Sequence, residues 1–181
     1  MSPDDLGVLV VVLLGFAAVA SAAAWSRVGQ RIWAPIAVLA LAAAALVGAV
    51  PADVTVDGRG LTTLLVAVAG ALAVGGGGPV TSRVFALVDQ QEHAAAAESI
   101  DRAGLVLRGG AWIGALERAA VFATLVAGWP EGLAIVLALK GLGRYPELRN
   151  GENTGAAERF IIGTFTSVLW AAACAGVVLL V

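Results

Sequence analysis

The chain has 181 residues, of which 60% are hydrophobic and 13% are charged, and its formal net charge at pH 7 is −2. Roughly a quarter of the residues of a typical soluble domain are charged, so this composition excludes an ordinary water-soluble domain. The small net charge and the absence of a basic stripe interleaved with aromatic residues also exclude a nucleic-acid-binding surface.

Long uncharged stretches account for the hydrophobicity. The first two stretches, residues 6–24 and 32–50, carry no charge, and each reaches the roughly 18 residues that cross the hydrocarbon core of a membrane. With two further segments that carry a few charges, the chain contains six apolar segments, at residues 6–24, 32–50, 61–78, 111–128, 131–144 and 160–181. They predict an all-α, polytopic transmembrane helical bundle that forms a single membrane domain.

The third and fifth segments fit this pattern less simply. The firm apolar run of the third segment ends at Val74, and the segment reaches spanning length only with Gly75–Gly78, which we expect to be a flexible helix end. From Pro130 to Arg144 the fifth helix would measure about 22 Å at roughly 1.5 Å per residue, and Pro146 predicts a helix stop at Tyr145. An alternative for the fifth segment is a re-entrant half-helix.

The distribution of positively charged residues distinguishes a topology of six spans from one with a re-entrant fifth segment. With six spans and the N-terminus outside, nearly all arginines fall on the cytoplasmic side, as the positive-inside rule requires. These arginines are Arg27, Arg31, Arg83, Arg102, Arg108, Arg144, Arg149 and Arg159. A re-entrant segment would move the last three to the outer face. The sequence therefore predicts six spans with both termini outside.

The longest connection, residues 79–110, is cytoplasmic in this topology. Apolar residues between Val80 and Val88 share one helical face and are followed by alanines, which predicts a partly helical segment. His93 is the single histidine, and one imidazole without a second nitrogen or sulfur donor makes a poor metal site. We expect no metal and no cofactor, and no catalytic triad can be assembled.

The most informative feature is the adjacent pair Glu117 and Arg118, which lies about two turns inside the fourth segment. Charges at that depth are rare and costly unless they are paired or hydrated. Neighbours in sequence point roughly 100° apart around a helix, so these two side chains cannot pair as residues four apart do. At least one of them therefore needs a partner on another helix.

Charges at the same depth occur in the fifth and sixth segments. Together they form the predicted charged cluster, which consists of Glu117, Arg118, Lys140, Arg144, Glu158 and Arg159. We expect Glu117 to face Lys140 or Arg144. We expect Arg118 to face Glu158. Two interpretations stay open: ion pairs that only fix helix packing, or a water-accessible vestibule whose basic residues hold an anion or a lipid head group.

Residues 108–118, 139–148 and 158–164 carry recognisable motifs. The first contains Gly-x-x-Ile-Gly-x-Leu-Glu-Arg, and the last two contain Lys140 followed by Arg144 and the pattern Ala-Glu-x-x-x-Ile-Gly-Thr. Over about residues 104–175 the chain resembles a family of uncharacterised bacterial, particularly actinobacterial, integral membrane proteins. The resemblance implies a bacterial plasma membrane protein and supplies no activity or substrate.

Two hypotheses for function follow. In the first, charges inside the bilayer indicate a small transporter or a channel-like protein with its charged cluster on the cytoplasmic side. In the second, helix faces of small residues indicate a structural or assembly partner in a membrane complex, either a homo-oligomer or bound to another membrane protein. A lipid-modifying enzyme is less favoured, because the sequence offers neither a metal site nor a nucleophile for it.

Overall fold

The computed structural model describes residues 3–49, 54, 56, 58–91, 110–149 and 154–181. The described residues form six α-helices and no strand, which confirms the predicted all-α class. The helices are α1 (Pro3–Ala23), α2 (Arg27–Gly48), α3 (Arg59–Gln91), α4 (Gly110–Val126), α5 (Gly132–Arg149) and α6 (Thr154–Leu179). His93 and the rest of residues 92–109 lie outside the described residues.

Four helices, α1, α2, α3 and α6, are long and apolar enough to cross a membrane. Only 33% of the residues in each apolar window are buried inside the protein, so most of their side chains face outward. Val19 and Leu46, for example, are 68% and 73% exposed. Such exposure is unfavourable in water and favourable in hydrocarbon. The architecture is therefore consistent with a helical membrane protein, as the composition predicts.

Small side chains fill the interior between the first three helices. Six fully buried residues there are alanines: Ala17, Ala20, Ala37, Ala44, Ala69 and Ala73. Lipid supplies no hydrophobic drive for helix association, so membrane helices gain stability by approaching closely, and small residues permit this. Close packing of α1, α2 and α3 follows from their alanine content.

Two tight turns join neighbouring helices into hairpins. Ser26 caps the start of α2, where its hydroxyl oxygen accepts a 2.9 Å hydrogen bond from the Gly29 amide. At the end of α4, Gly128 has a φ of 70°, and the Trp129 amide donates a 2.8 Å hydrogen bond to the Thr124 carbonyl. This is a Schellman cap, which glycine favours because it adopts positive φ without strain. The caps fix the α1–α2 and α4–α5 hairpins.

Helix α3 runs unbroken through the glycine-rich segment. It has 33 residues and includes both Gly75–Gly78 and Pro79, so the prediction of a helix end there is wrong. The glycines admit neighbouring side chains instead. A Cβ atom on Gly76 would lie 2.6 Å from Cζ2 of Trp170 and 2.7 Å from Oγ of Ser21. The glycine run is explained by close contact between helices. Helix propensities of single residues do not take such contacts into account.

Helix α5 also continues past its predicted end. It includes Pro146 and ends at Arg149, so the predicted stop at Tyr145 is wrong. A proline inside a helix removes one amide donor, in this case the one that would bond to the carbonyl of Leu142. The loss falls close to the end of the helix, so only the last turn is weakened.

The contacts between helices show which helices are antiparallel to each other. Leu72 of α3 contacts Trp170 of α6, whereas Asp89, further along α3, contacts Arg159, which comes earlier in α6. Helix α3 is thus antiparallel to α6, and the same reversed order relates α3 to α4. The C-terminal ends of α3 and α5 and the N-terminal ends of α4 and α6 therefore share one end of the bundle, the charged end.

Candidate functional site

The structure brings Glu117 of α4 and Lys140 of α5 together. The Lys140 ammonium donates a hydrogen bond to the Glu117 carboxylate and forms an ion pair with it. Both side chains are largely covered, with exposed fractions of 16% for Lys140 and 15% for Glu117. The ammonium also lies 5.8 Å from the centroid of the Phe160 ring of α6, within range of a cation–π interaction. The ion pair therefore ties α5 to the rest of the charged end.

Arg118 points from α4 into α3. Its side chain is only 6% exposed, and its Nε and Nη2 atoms donate hydrogen bonds of 3.0 and 2.8 Å to the carbonyl oxygen of Val74. Gly77 makes room for it, since a Cβ atom at that position would lie 2.3 Å from Cδ of Arg118. We call this gap, formed by Val74 and Gly77, the arginine socket.

Two other helices donate hydrogen bonds to the same part of α3. The indole Nε1 of Trp170 donates to the Leu72 carbonyl at 3.1 Å, and Nε2 of Gln30 donates to the Pro79 carbonyl at 3.1 Å. Glycines leave the backbone of this segment accessible to neighbouring side chains. Residues 72–79 therefore link α3 to α2, α4 and α6 through its own carbonyl groups.

A small cavity lies between α4, α5 and α6, beside the ion pair, and has room for about one water molecule. Its polar lining consists of Glu117, Arg118, Lys140 and Ser167, and four apolar side chains complete it. Nη1 of Arg118 lies 3.4 Å from Oγ of Ser167, which is itself 5% exposed. The third guanidinium nitrogen and a buried hydroxyl thus lie near the cavity, whose accessible surface is apolar.

The lining groups do not suit a metal ion. Within the part of the chain that the structure describes, no group of three or more His, Cys, Asp or Glu side chains is arranged to hold one. The cavity is lined by two cationic side chains and one carboxylate, and the cations repel a metal ion.

Arg159 belongs to a second ion pair. Its guanidinium donates a hydrogen bond to the Asp89 carboxylate, and its Cζ lies 5.3 Å from the centroid of the Phe85 ring. The exposed fractions of Arg159 and Asp89, 29% and 26%, are larger than those of the first pair. The predicted charged cluster is thus divided: the ion pair of Glu117 borders the cavity, and that of Arg159 joins α6 to the end of α3.

The predicted contact between Arg118 and Glu158 is wrong. All three guanidinium nitrogens of Arg118 are directed to Val74 and Ser167, whereas Glu158 is exposed. Ser167 is the residue of α6 at the level of Arg118, and Glu158 lies about 13 Å further along the helix axis. Arg144 is half-buried, one turn beyond Lys140 on α5, and does not line the cavity.

Sequence reasoning missed the arginine socket and the partner of Arg159. Backbone carbonyls are invisible to a search for side chains of opposite charge, so Val74 could not be found that way. The glycine run was the available signal, because glycines in a membrane helix often mark close approach. Trp170 lies in the middle of its segment rather than at an end, which indicates a core residue instead of an interfacial anchor.

Comparison of the chain with protein-family models, with curated proteins and with solved structures gives no match. The resemblance to the bacterial membrane family therefore stays a prediction.

Proposed function

We propose that the chain is a multi-pass protein of the cell membrane with six spans and both termini outside. Helices α4 and α5 have 17 and 18 residues, which correspond to about 26 and 27 Å, against roughly 30 Å of hydrocarbon. Long basic side chains near the end of a short helix reach the interface by snorkelling, which suits Arg144. The unbroken course of α5 supports a span over a re-entrant segment.

The length of α3 supports the same orientation. Its 33 residues correspond to about 50 Å, so its C-terminal part extends beyond the hydrocarbon at the charged end. Arg83 and the Asp89–Arg159 pair belong to this extension. The positive-inside rule places an arginine-rich end in the cytoplasm.

Within this membrane protein, we propose the role of a small transporter or channel-like protein whose polar site is the cavity at Glu117 and Lys140. One observation carries the proposal: opposite charges from two helices converge on a cavity inside a bundle whose outer surface is apolar. Ionisable groups inside a membrane commonly mark the path of an ion or a polar solute. Separation of the ion pair would open the cavity by releasing α5.

A flux assay in liposomes tests this role. We expect the purified protein to conduct at least one of Na⁺, K⁺, H⁺ or Cl⁻, and Glu117→Gln to change that flux about tenfold, because the negative charge that strengthens the hydrogen bond from Lys140 is lost. Glu158→Gln is the matched control, since Glu158 undergoes the same chemical change at an exposed position, and its flux should stay within about twofold of the parent.

The transport proposal fails if the parent protein conducts none of these ions. It also fails if Glu117→Gln and Glu158→Gln conduct as the parent does. Equal amounts of folded protein, measured by size-exclusion chromatography before reconstitution, are needed for the comparison.

A second candidate role, an assembly partner in a membrane complex, is favoured by the outer face of α5. Ile135, Leu139 and Leu142 share one face of that helix and are 50%, 66% and 70% exposed. Helix α5 packs mainly against α4, so this apolar face is available to lipid or to another helix. Another membrane helix that covers it would make the chain a subunit.

Site-specific crosslinking separates the two roles. A photo-crosslinking amino acid in place of Leu139 should capture one protein of defined mass in intact cells if α5 binds a partner. The same amino acid in place of Val19 is the control, because that α1 position is 68% exposed. Capture of lipid alone at both positions would contradict the subunit role.

A further inference from the structure

We propose that the contact between α3 and α6 is the entrance by which water reaches Arg118 from the charged end, and that the ring of Phe85 closes it. We call this contact the seam. It is formed by Thr81, Phe85 and Asp89 of α3 and by Arg159, Gly163 and Thr164 of α6. This inference rests on the proposed function, because it assigns an entrance to the same polar site. Access by water is nevertheless measurable without transport.

Phe85 lies just inside the mouth of the seam. The mouth is the ion pair of Asp89 and Arg159, whose side chains are partly exposed. The Phe85 ring packs on α6, since a Cβ atom on Gly163 would lie 3.1 Å from its Cζ. Cζ of Arg159 lies 5.3 Å from the centroid of the same ring. The ring is therefore held below the ion pair, and it closes the seam.

Two hydroxyl groups lie further inside the seam than the ring. Thr81 is one turn inward on α3, and its Cγ2 would lie 3.9 Å from a Cβ atom on Gly163, the residue that precedes Thr164. The Oγ1 atoms of both threonines are buried and have no hydrogen-bond partner among the described residues. A threonine hydroxyl in a helix can bond to the carbonyl four residues earlier, as that of Thr166 does to Ile162 at 2.8 Å. The seam thus holds two hydroxyls that their own helices do not satisfy.

Water is the partner that fits these hydroxyls. A buried polar group without a hydrogen bond is unfavourable, and ordered water commonly satisfies such groups inside proteins. The hydroxyls of Thr81 and Thr164 therefore favour a hydrated seam whenever the Phe85 ring moves aside. The surrounding bundle surface, which is apolar, offers water no comparable route.

The seam leads to Ser167 and Arg118. Ser167 is three residues after Thr164, so the two share one face of α6. Its Oγ lies 3.4 Å from Nη1 of Arg118, the guanidinium nitrogen that is not bonded to Val74. Arg118 is the one charged side chain in the buried class among the described residues. A cation at this depth is costly unless it is paired or hydrated, and water from the seam would hydrate it.

Cysteine labelling of the purified full chain in detergent tests the inference. Cys174 is the single native cysteine and is fully buried, so Cys174→Ala gives a background without thiols. Water-soluble methanethiosulfonate reagents modify the thiolate, which burial in apolar surroundings disfavours. We expect Thr164→Cys to be modified. Ser21→Cys is the matched control and should stay unmodified, because Ser21 also has a buried hydroxyl with no partner among the described residues but lies against Gly76, outside the seam.

Removal of the ring tests the closure. Phe85→Ala should raise the rate of modification of Thr164→Cys about tenfold or more, because access then needs a smaller local opening of the helices. Phe122→Ala is the matched control: Phe122 is buried and packs on Gly70 of α3, outside the seam. Its loss leaves a similar gap but no shorter path to residue 164, so the rate should stay within about twofold of the background.

The inference is overturned if Thr164→Cys stays unmodified both with and without the Phe85 ring, or if Phe85→Ala and Phe122→Ala give equal rates. If Phe85→Ala does not fold, Asp89→Asn replaces it. Loss of the ion pair loosens the hold on Arg159 at the mouth and should also raise the rate, and an unchanged rate contradicts the closure. Modification without ion flux in liposomes would reject only the transport role, whereas ion flux with an unmodified Thr164→Cys would reject only this inference.

Discussion

Lys140→Met is expected to destabilise the folded protein by about 3–5 kcal/mol, because it leaves the carboxylate of Glu117 without its cation inside the bundle. Methionine retains a long, flexible, unbranched side chain, so the packing against Phe160 is largely kept. The effect thus reports the loss of charge pairing. The midpoint of unfolding by sodium dodecyl sulfate in mixed micelles measures it.

The double variant separates charge pairing from packing. In Glu117→Gln combined with Lys140→Met, neither side chain carries a charge, so the loss should be smaller than the sum of the two single losses by about 1–3 kcal/mol. Arg159→Met is the comparison at the more exposed ion pair with Asp89, where about 1 kcal/mol is expected. Additive losses in the double variant would mean that Glu117 and Lys140 do not interact in the membrane protein.

Hydropathy was sufficient to predict the all-α class and the four helices that are long and apolar enough to cross a membrane. In lipid, an apolar segment of spanning length is stable only as a helix or as part of a closed barrel. The approximate position of each helix therefore follows from the position of its apolar segment. The exact helix ends were less predictable. Glycine and proline commonly end helices in water-soluble proteins. On this rule α3 was wrongly predicted to end at Gly78 and α5 at Tyr145.

The ion pair of Glu117 could be anticipated because depth along a helix follows from residue number. Lys140 on the next segment lies at the same depth once the α4–α5 turn is fixed. The partner of Arg118 could not be anticipated in this way. Its acceptor is the backbone of Val74, and every residue has a carbonyl, so sequence gives no reason to prefer one over another.

The same limit applies to the glycine run of α3. Four consecutive glycines are chemically identical in sequence, yet their surroundings differ. A Cβ atom on Gly75 would meet nothing within 4 Å, and one on Gly77 would lie 2.3 Å from Cδ of Arg118. Which glycine is required depends on the rotation of α3 relative to α4, and this is a property of tertiary packing.

Gly77→Ala is therefore expected to destabilise the protein by about 1–3 kcal/mol or more, as overpacking of a filled interior does. The added methyl group displaces the side chain of Arg118 from the arginine socket. The two hydrogen bonds to the Val74 carbonyl are then lost, and a buried guanidinium without its acceptors adds to the cost. The same detergent unfolding midpoint measures the change.

Gly75→Ala is the matched control two residues away. The substitution is identical, the helix is the same, and the space around Gly75 is open, so alanine should be neutral or should stabilise the helix by about 0.5–1 kcal/mol. If both variants are equally stable, then Arg118 does not occupy the arginine socket. A stability loss in Gly77→Ala with no loss in Gly75→Ala would show that the glycine run permits the close approach of Arg118. If the glycines served only the local flexibility of the helix, both substitutions would change the stability alike.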